Sequence, residues 1–185
     1  MNNLAHFTLK VVLSLAIALL LLFNIGSWRS VSADANDVNC NAPPIVCKSG
    51  ALTSNETWQA GNIYVITSDL TVGPAATLTI QAGAIVKFAD YCCDKRNLFV
   101  EGTLQVNGTD GQKVYFTSIY DDALGGDTNN DSGNSQPVAG NWDNLVFKNG
   151  SHGVINHAEI RYGDHGRGGA IRLEGSSPTL DHVTV

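Results

Sequence analysis

TLTIQAGAIVKF (residues 77–88) is followed about ten residues later by LFVEGTLQVNG (residues 98–108). Both lines alternate apolar or β-branched residues with polar ones, and glycine breaks each. Period-two alternation is the pattern of a strand, whose successive side chains point to opposite faces. The lines are also near-copies, since TLTI at 77–80 returns as TLQV at 103–106. Further on, LVFKNGSHGVINHAEI (145–160) can be laid over IRLEGSSPTLDHVTV (171–185) with one gap. Gly150 then falls on Gly175, Ile155 on Leu180, His157 on His182 and Ile160 on Val185, an offset of 25 to 26 residues.

Self-similarity at this period is the mark of a solenoid. Leucine-rich repeats share the period, but their Leu/Asn ladder is absent. What recurs instead is a set of short β runs, among them IYVI, DLTV, AIVKF, LFV and KVYFTS, punctuated by Gly, Asp or Asn. No stretch after residue 33 keeps helical periodicity over three turns. The pattern predicts an all-β chain wound as a parallel β-helix of about five coils over residues 58–185. In that fold, backbone N–H and C=O groups pair between successive coils. Inward side chains stack on their equivalents one turn away, and one coil alone cannot bury that surface, hence the near-copies.

The first residues are set apart. VVLSLAIALLLLF (11–23) has the length of a signal-peptide core, and Val31-Ser32-Ala33 fits a small-residue cleavage site. The run is shorter than the about 20 apolar residues a bilayer span needs, which leaves an uncleaved anchor as the alternative. Residues 1–33 are therefore read as an export signal, the chain's one association with a membrane. Residues 34–57, rich in Asn, Asp, Pro and Ser, are read as an irregular, cysteine-containing lead-in. Removing the signal takes away Lys10 and Arg29 and no acid, so 9 basic residues face 17 acidic ones, a net charge near −8. That balance excludes a nucleic-acid groove, which needs clustered Lys and Arg. A secreted or cell-surface location is expected.

Cys40, Cys47, Cys92 and Cys93 form an even set, as expected of disulfides in an oxidising compartment. Pairing Cys40 with Cys47 would leave Cys92 to bridge its neighbour Cys93, against the preferred Cα separation. The two crossed pairings are favoured, which would tie the lead-in to the loop ADYCCDKRN; free thiols are the alternative. A zinc site is not the expectation, since no histidine or second CxxC stands at ligand spacing.

The strongest candidate site is the insertion DDALGGDTNNDSGNSQPVAGNW, residues 121–142. Asp127, Asn129 and Asp131 stand at alternate positions, with Gly133 two further on, as oxygen ligands do in loops that wrap calcium. Ser132 stands where the EF-hand pattern has glycine, and Val138 where it has glutamate. Asp121 and Asp122 would complete the shell; a solvated loop whose Asx side chains cap their own backbone is the alternative. Trp142 is expected to shield the coil edge where the insertion re-enters, with sugar stacking as the other use. His157 and His182, at equivalent positions, are expected to stack rather than to share a ligand. GDHGRGG (163–169) reads as a flexible corner. The sequons at Asn55, Asn107 and Asn149 matter only where the source glycosylates such sites.

The run WQAGNIYVITSDLTVGPAATLTIQAGAIVKF, then LFVEGTLQVNGTDGQKVYFTS, then DDALGGDTNNDSGNSQPVAGNWDNLVF, resembles the N-terminal portion of exported bacterial right-handed parallel β-helix repeat proteins. The likeness covers residues 58–185 and departs from that pattern at Cys92-Cys93. It implies a right-handed helix and two functional classes. One is a non-catalytic surface or adhesin-like scaffold that binds a polysaccharide or cell-surface component. The other is a pectate-lyase-like or polygalacturonase-like enzyme. Such polygalacturonases carry Asn-Thr-Asp, Asp-Asp, Gly-His-Gly and Arg-Ile-Lys in order. Asp121-Asp122, Ser151-His152-Gly153 and Ile160-Arg161-Tyr162 match the last three loosely, and the first is missing. Arg161 or Arg172 would be the base of a lyase. With no carboxylate pair convincingly placed, the scaffold is the expectation and no catalytic residue is assigned. Val185 falls inside a strand pattern, so further coils or a partner are expected at that edge.

Overall fold

The structure is a computed structural model, and it describes residues 38–91, 94–164, 166 and 168–185. The expected export signal, Cys92, Cys93, His165 and Arg167 lie outside the described residues. Among those described, every regular element is a strand. First come β1 (Ile45–Leu52), β2 (Glu56–Trp58), β3 (Ile63–Val72), β4 (Thr77–Gln81) and β5 (Ile85–Phe88). A short pair, β6 (Asp90–Tyr91) and β7 (Asp94–Lys95), precedes β8 (Leu98–Val100), β9 (Thr103–Asn107) and β10 (Val114–Ser118). After the insertion follow β11 (Leu145–Phe147), β12 (His152–Ile160), β13 (Ile171–Leu173) and β14 (Thr179–Thr184).

Twelve strands make one sheet, and only β6 and β7 pair antiparallel, as a separate ribbon. Within the large sheet the strands stack parallel in three ladders. The first holds the start of β1, the start of β3, β5, β10 and the ends of β12 and β14. The second holds the ends of β1 and β3, then β8, β11 and β13. The third holds β2, β4, β9 and the starts of β12 and β14. Parallel neighbours need a crossover rather than a hairpin; here each crossover is made of strands belonging to the other two ladders. The topology is consistent with a solenoid.

Register turns the repeats into columns. Leu70, Leu98 and Leu145 lie side by side in the second ladder, and Ile80, Val106 and Ile155 in the third; all are fully buried. Tyr64, Val86, Phe116 and Ile160 form the inner column of the first ladder. Each such side chain contributes about 1.5–3 kcal/mol relative to leaving it in water. The turn from β8 to β9 is only Glu101-Gly102. A Cβ on Gly102 would lie 2.2 Å from the Gly73 carbonyl and 2.4 Å from that of Ala76, so stacked corners close there only without a side chain.

Two expectations are corrected. The segment 34–57 is not irregular throughout: β1 pairs with β3 from Ile45↔Ile63 onward, and β2 pairs with β4. The apolar and β-branched residues Ile45, Val46 and Thr57 supply the pairing surface despite the polar company they keep. The crossed disulfides give way to Cys40–Cys47, with Cα atoms 5.3 Å apart. A turn over residues 39–42, closed by Ala42 N donating to Asn39 O, brings the two cysteines within the range a disulfide prefers.

Candidate functional site

The runs IYVI and AIVKF are apolar on both faces, which implies strands covered on both sides. Val86 and Phe88 of β5 point into the main core, so Ile85 and Lys87 point out. Outside, Ile63, Val65, Ala89 and Ile119 form a second apolar cluster with Val38, Ile45, Cys47, Ile85 and Tyr120. Over this outer face lies the insertion between β10 and β11. Its Gly125 comes so close that a Cβ would sit 2.6 Å from Ile63 Cδ1.

Lys87 is consequently fully buried, flanked in register by Val65 and Thr117. Its Nζ donates to Gly126 O at 2.9 Å and to Thr128 Oγ1 at 2.7 Å, both in the insertion. Burial pulls the ammonium down to about 8, against the opposing pull of Asp122, Asp121 and Asp127. Asp121, 2% exposed, accepts the Thr117 hydroxyl at 2.7 Å and has Arg161 Nη1 at 3.8 Å. Burial, then the neighbouring Asp127 carboxylate, raises Asp122 above the ordinary carboxylate value, with Lys87 opposing.

Asp122, Asp127 and Asp131 bring carboxylate oxygens within 4.8 Å of one another. Of the four residues expected to wrap calcium, Asp127 and Asp131 are thus brought together with Asp122, as the sequence spacing suggested. Asp122 Oδ1 is buried without a hydrogen-bond partner, whereas the carboxylates of Asp127 and Asp131 cap the loop itself. Asp127 accepts the amides of Asp131 (3.1 Å) and Ser132 (2.9 Å). Asp131 accepts those of Gly133 (2.8 Å), Asn134 (3.1 Å) and Ser135 (2.8 Å), together with the Ser135 hydroxyl. The Ser135 hydroxyl, ahead of burial's opposing effect, holds Asp131 below the ordinary range. Asn129 donates its side-chain amide to Ser135 Oγ at 3.1 Å. Calcium takes six to eight oxygens; here two carboxylates cap their own loop, Gly133 offers Asp131 a donor, and the neighbouring cation is a lysine.

Trp142 shields the coil edge. It is fully buried, stacks on Phe88 at 4.0 Å and donates its indole N–H to Arg161 O at 2.8 Å. His157 and His182 stack at 4.5 Å with rings 2° from parallel. Both have positive φ, 49° and 52°, so a single left-handed residue turns the chain from the third ladder into the first. His157 Nε2 lies 3.0 Å from Asp110, and His182 Nδ1 lies 2.8 Å from Asp181.

Of the three segments matched to polygalacturonases, two meet and one does not. Arg161 reaches Asp121, but its nearer partner is Glu159, 2.6 Å from Nη2. Burial would raise Glu159, yet Arg161 and Lys113 hold it below its ordinary value. His152 stands elsewhere, exposed in the third ladder beside Thr103. Arg172, in the second ladder, is ion-paired to Glu174, which Lys148 also holds at 2.8 Å. Lys148 and Glu174 edge an open groove of about 640 Å³ with Glu101 and Asn149.

Among the described residues, the third ladder presents a broad uncovered face. Thr79, Gln105, Val154 and Thr179 form one outward column, and Gln81, Asn107, Asn156 and Asp181 the next; Thr79 and Asn156 are half-buried and the others exposed. Hydroxyls and amides dominate it. Sequence reasoning missed Lys87 as a site residue; the available signal was the apolar character of its outward neighbours Ile63, Val65 and Ile85. No protein-family model, curated protein or solved structure matches this chain.

Proposed function

We propose that this chain is an exported, non-catalytic right-handed parallel β-helix of about five coils, a scaffold that attaches to a polysaccharide or cell-surface component through the outer face of its third ladder. One observation carries the reading. At the insertion Asp121, Asp131 and Lys87 are buried and Arg161 is ion-paired to Glu159, whereas the uncovered face offers hydroxyls and amides. Acid–base chemistry on a sugar needs carboxylates free to exchange protons with substrate, and Asp121 is committed to Thr117 and Arg161. The apolar run at residues 11–23 and the Cys40–Cys47 disulfide support export.

The competing reading, a lyase or hydrolase on acidic polysaccharide, draws on the approach of Arg161 to Asp121. Incubation with polygalacturonate and calcium, following unsaturated product and reducing ends, separates the two. Turnover that disappears in R161A or R172A overturns the scaffold. Cosedimentation with insoluble polysaccharides tests the face itself: binding lost in the double variant Gln105→Glu, Val154→Glu supports it, and binding unaffected by that change removes it.

A further inference from the structure

The dipeptide Asn-Gly occurs twice in the chain, at 107–108 and 149–150, and both asparagines are exposed. A glycine in second place leaves the asparagine carboxamide open to the next backbone nitrogen, because no Cβ stands in the way. We propose that Asn149 is a site of self-modification by deamidation, and that the fold bars the same reaction at Asn107. The Gly150 nitrogen attacks Asn149 Cγ, the new C–N bond closes a succinimide ring, and the side-chain nitrogen leaves as ammonia. Water then opens the ring at either carbonyl, giving aspartate or isoaspartate. No enzyme, oxidant or cofactor enters the balance.

The backbone separates two sites that exposure does not. Asn107 ends β9 and is paired on both sides, with Gln81 and with Asn156. Gly108 N donates to Asn156 O at 3.0 Å, and a Cβ on Gly108 would lie 2.1 Å from His157 O. Swinging that nitrogen onto Asn107 Cγ requires the end of the ladder to open first. Asn149 instead lies between β11 and β12, in a turn closed by Ser151 N donating to Lys148 O at 3.0 Å. Gly150 has φ 80°, and a Cβ there would meet nothing within 4 Å. The Asn149 side chain faces Gly175 of the next corner, where a Cβ would stand 3.0 Å from Oδ1, so glycine there preserves its room. A carboxylate formed at 149 joins Glu101 and Glu174 at the groove, where Lys148 is the one cation among the described lining residues. Isoaspartate also routes the main chain through the former side chain, which lengthens this corner between the second and third ladders.

The test ages the intact chain in mildly alkaline buffer, where the attacking amide loses its proton more readily, beside a sample unfolded in urea. Peptide mass spectrometry reads the deamidated fraction at each asparagine over time. In urea the two sites are expected to react at similar rates. In the folded protein Asn149 is expected to react at least about tenfold faster than Asn107, the lag reflecting the ladder opening that Asn107 needs. Equal folded rates, or an Asn149 slowed by folding as much as Asn107, would overturn the proposal. Ion-exchange chromatography gives a second reading. An acidic species should accumulate in the wild type and be missing from Asn149→Gln; its growth at the same rate in that variant would place the reaction elsewhere and sink the assignment.

Discussion

Raising the pH from about 8 to 10.5 strengthens this fold through one side chain. Lys87 has its folded-state midpoint at about 8, below the 10.5 of a solvated lysine. Between those values the unfolded chain still holds a proton that the folded chain has released. Stability therefore rises with pH across the window and levels off above it. The displacement from 10.5 to about 8 corresponds to roughly 3 kcal/mol at full extent. Other lysines and the tyrosines titrate in the same range, so the quantity to read is the wild type minus K87M. Urea unfolding serves as the assay, followed by the fluorescence of the buried Trp58 and Trp142. The wild type is expected to gain on K87M by up to that amount as pH rises through the window. A difference that stays flat, or shrinks with rising pH, refutes the reasoning that burial dominates at Lys87.

Two further outcomes follow from the packing and the loop. Gly102→Ala forces a methyl against the Gly73 and Ala76 carbonyls; a loss of at least about 1–3 kcal/mol is expected in the urea midpoint, and an unchanged midpoint would show that the corner has room. Asp131 is held below its ordinary 3.8, so its contribution is present above that value and lost as pH falls through the lower folded one. Asp131→Asn is expected to cost about 1–3 kcal/mol at pH 7. Acid should close the gap between variant and wild type, and a gap that widens on acidification contradicts the assigned role.

The ladders were legible because stacking forces sequence to repeat. TLTI and TLQV proved to be register partners, Thr77↔Thr103 through Ile80↔Val106, and Ile155 pairs with Leu180 as their alignment required. His157 and His182 stack because equivalent positions in successive turns have each other as nearest neighbours. The start of the sheet was hidden: β1 mixes Lys48, Ser49 and Gly50 among its apolar residues, and its pairing with β3 slips between Lys48 and Gly50. The disulfide was misread because parity of four cysteines says nothing about a local turn that brings two of them together. Lys87 was invisible for a different reason. An outward lysine in a strand ordinarily meets water, and only the path of a loop dozens of residues downstream decides that this one does not.

That loop also shows how the architecture tolerates growth. Leu98 and Leu145 lie side by side with the whole insertion looped out between them, and Leu145 and Ile171 continue the same column. A corner can therefore take on passenger sequence without shifting the rungs above or below it. The requirement falls on the newcomer, which must neutralise its own charges and seal the surface it lands on, so novelty in such a chain is expected to accumulate at the bends while the rungs stay constant.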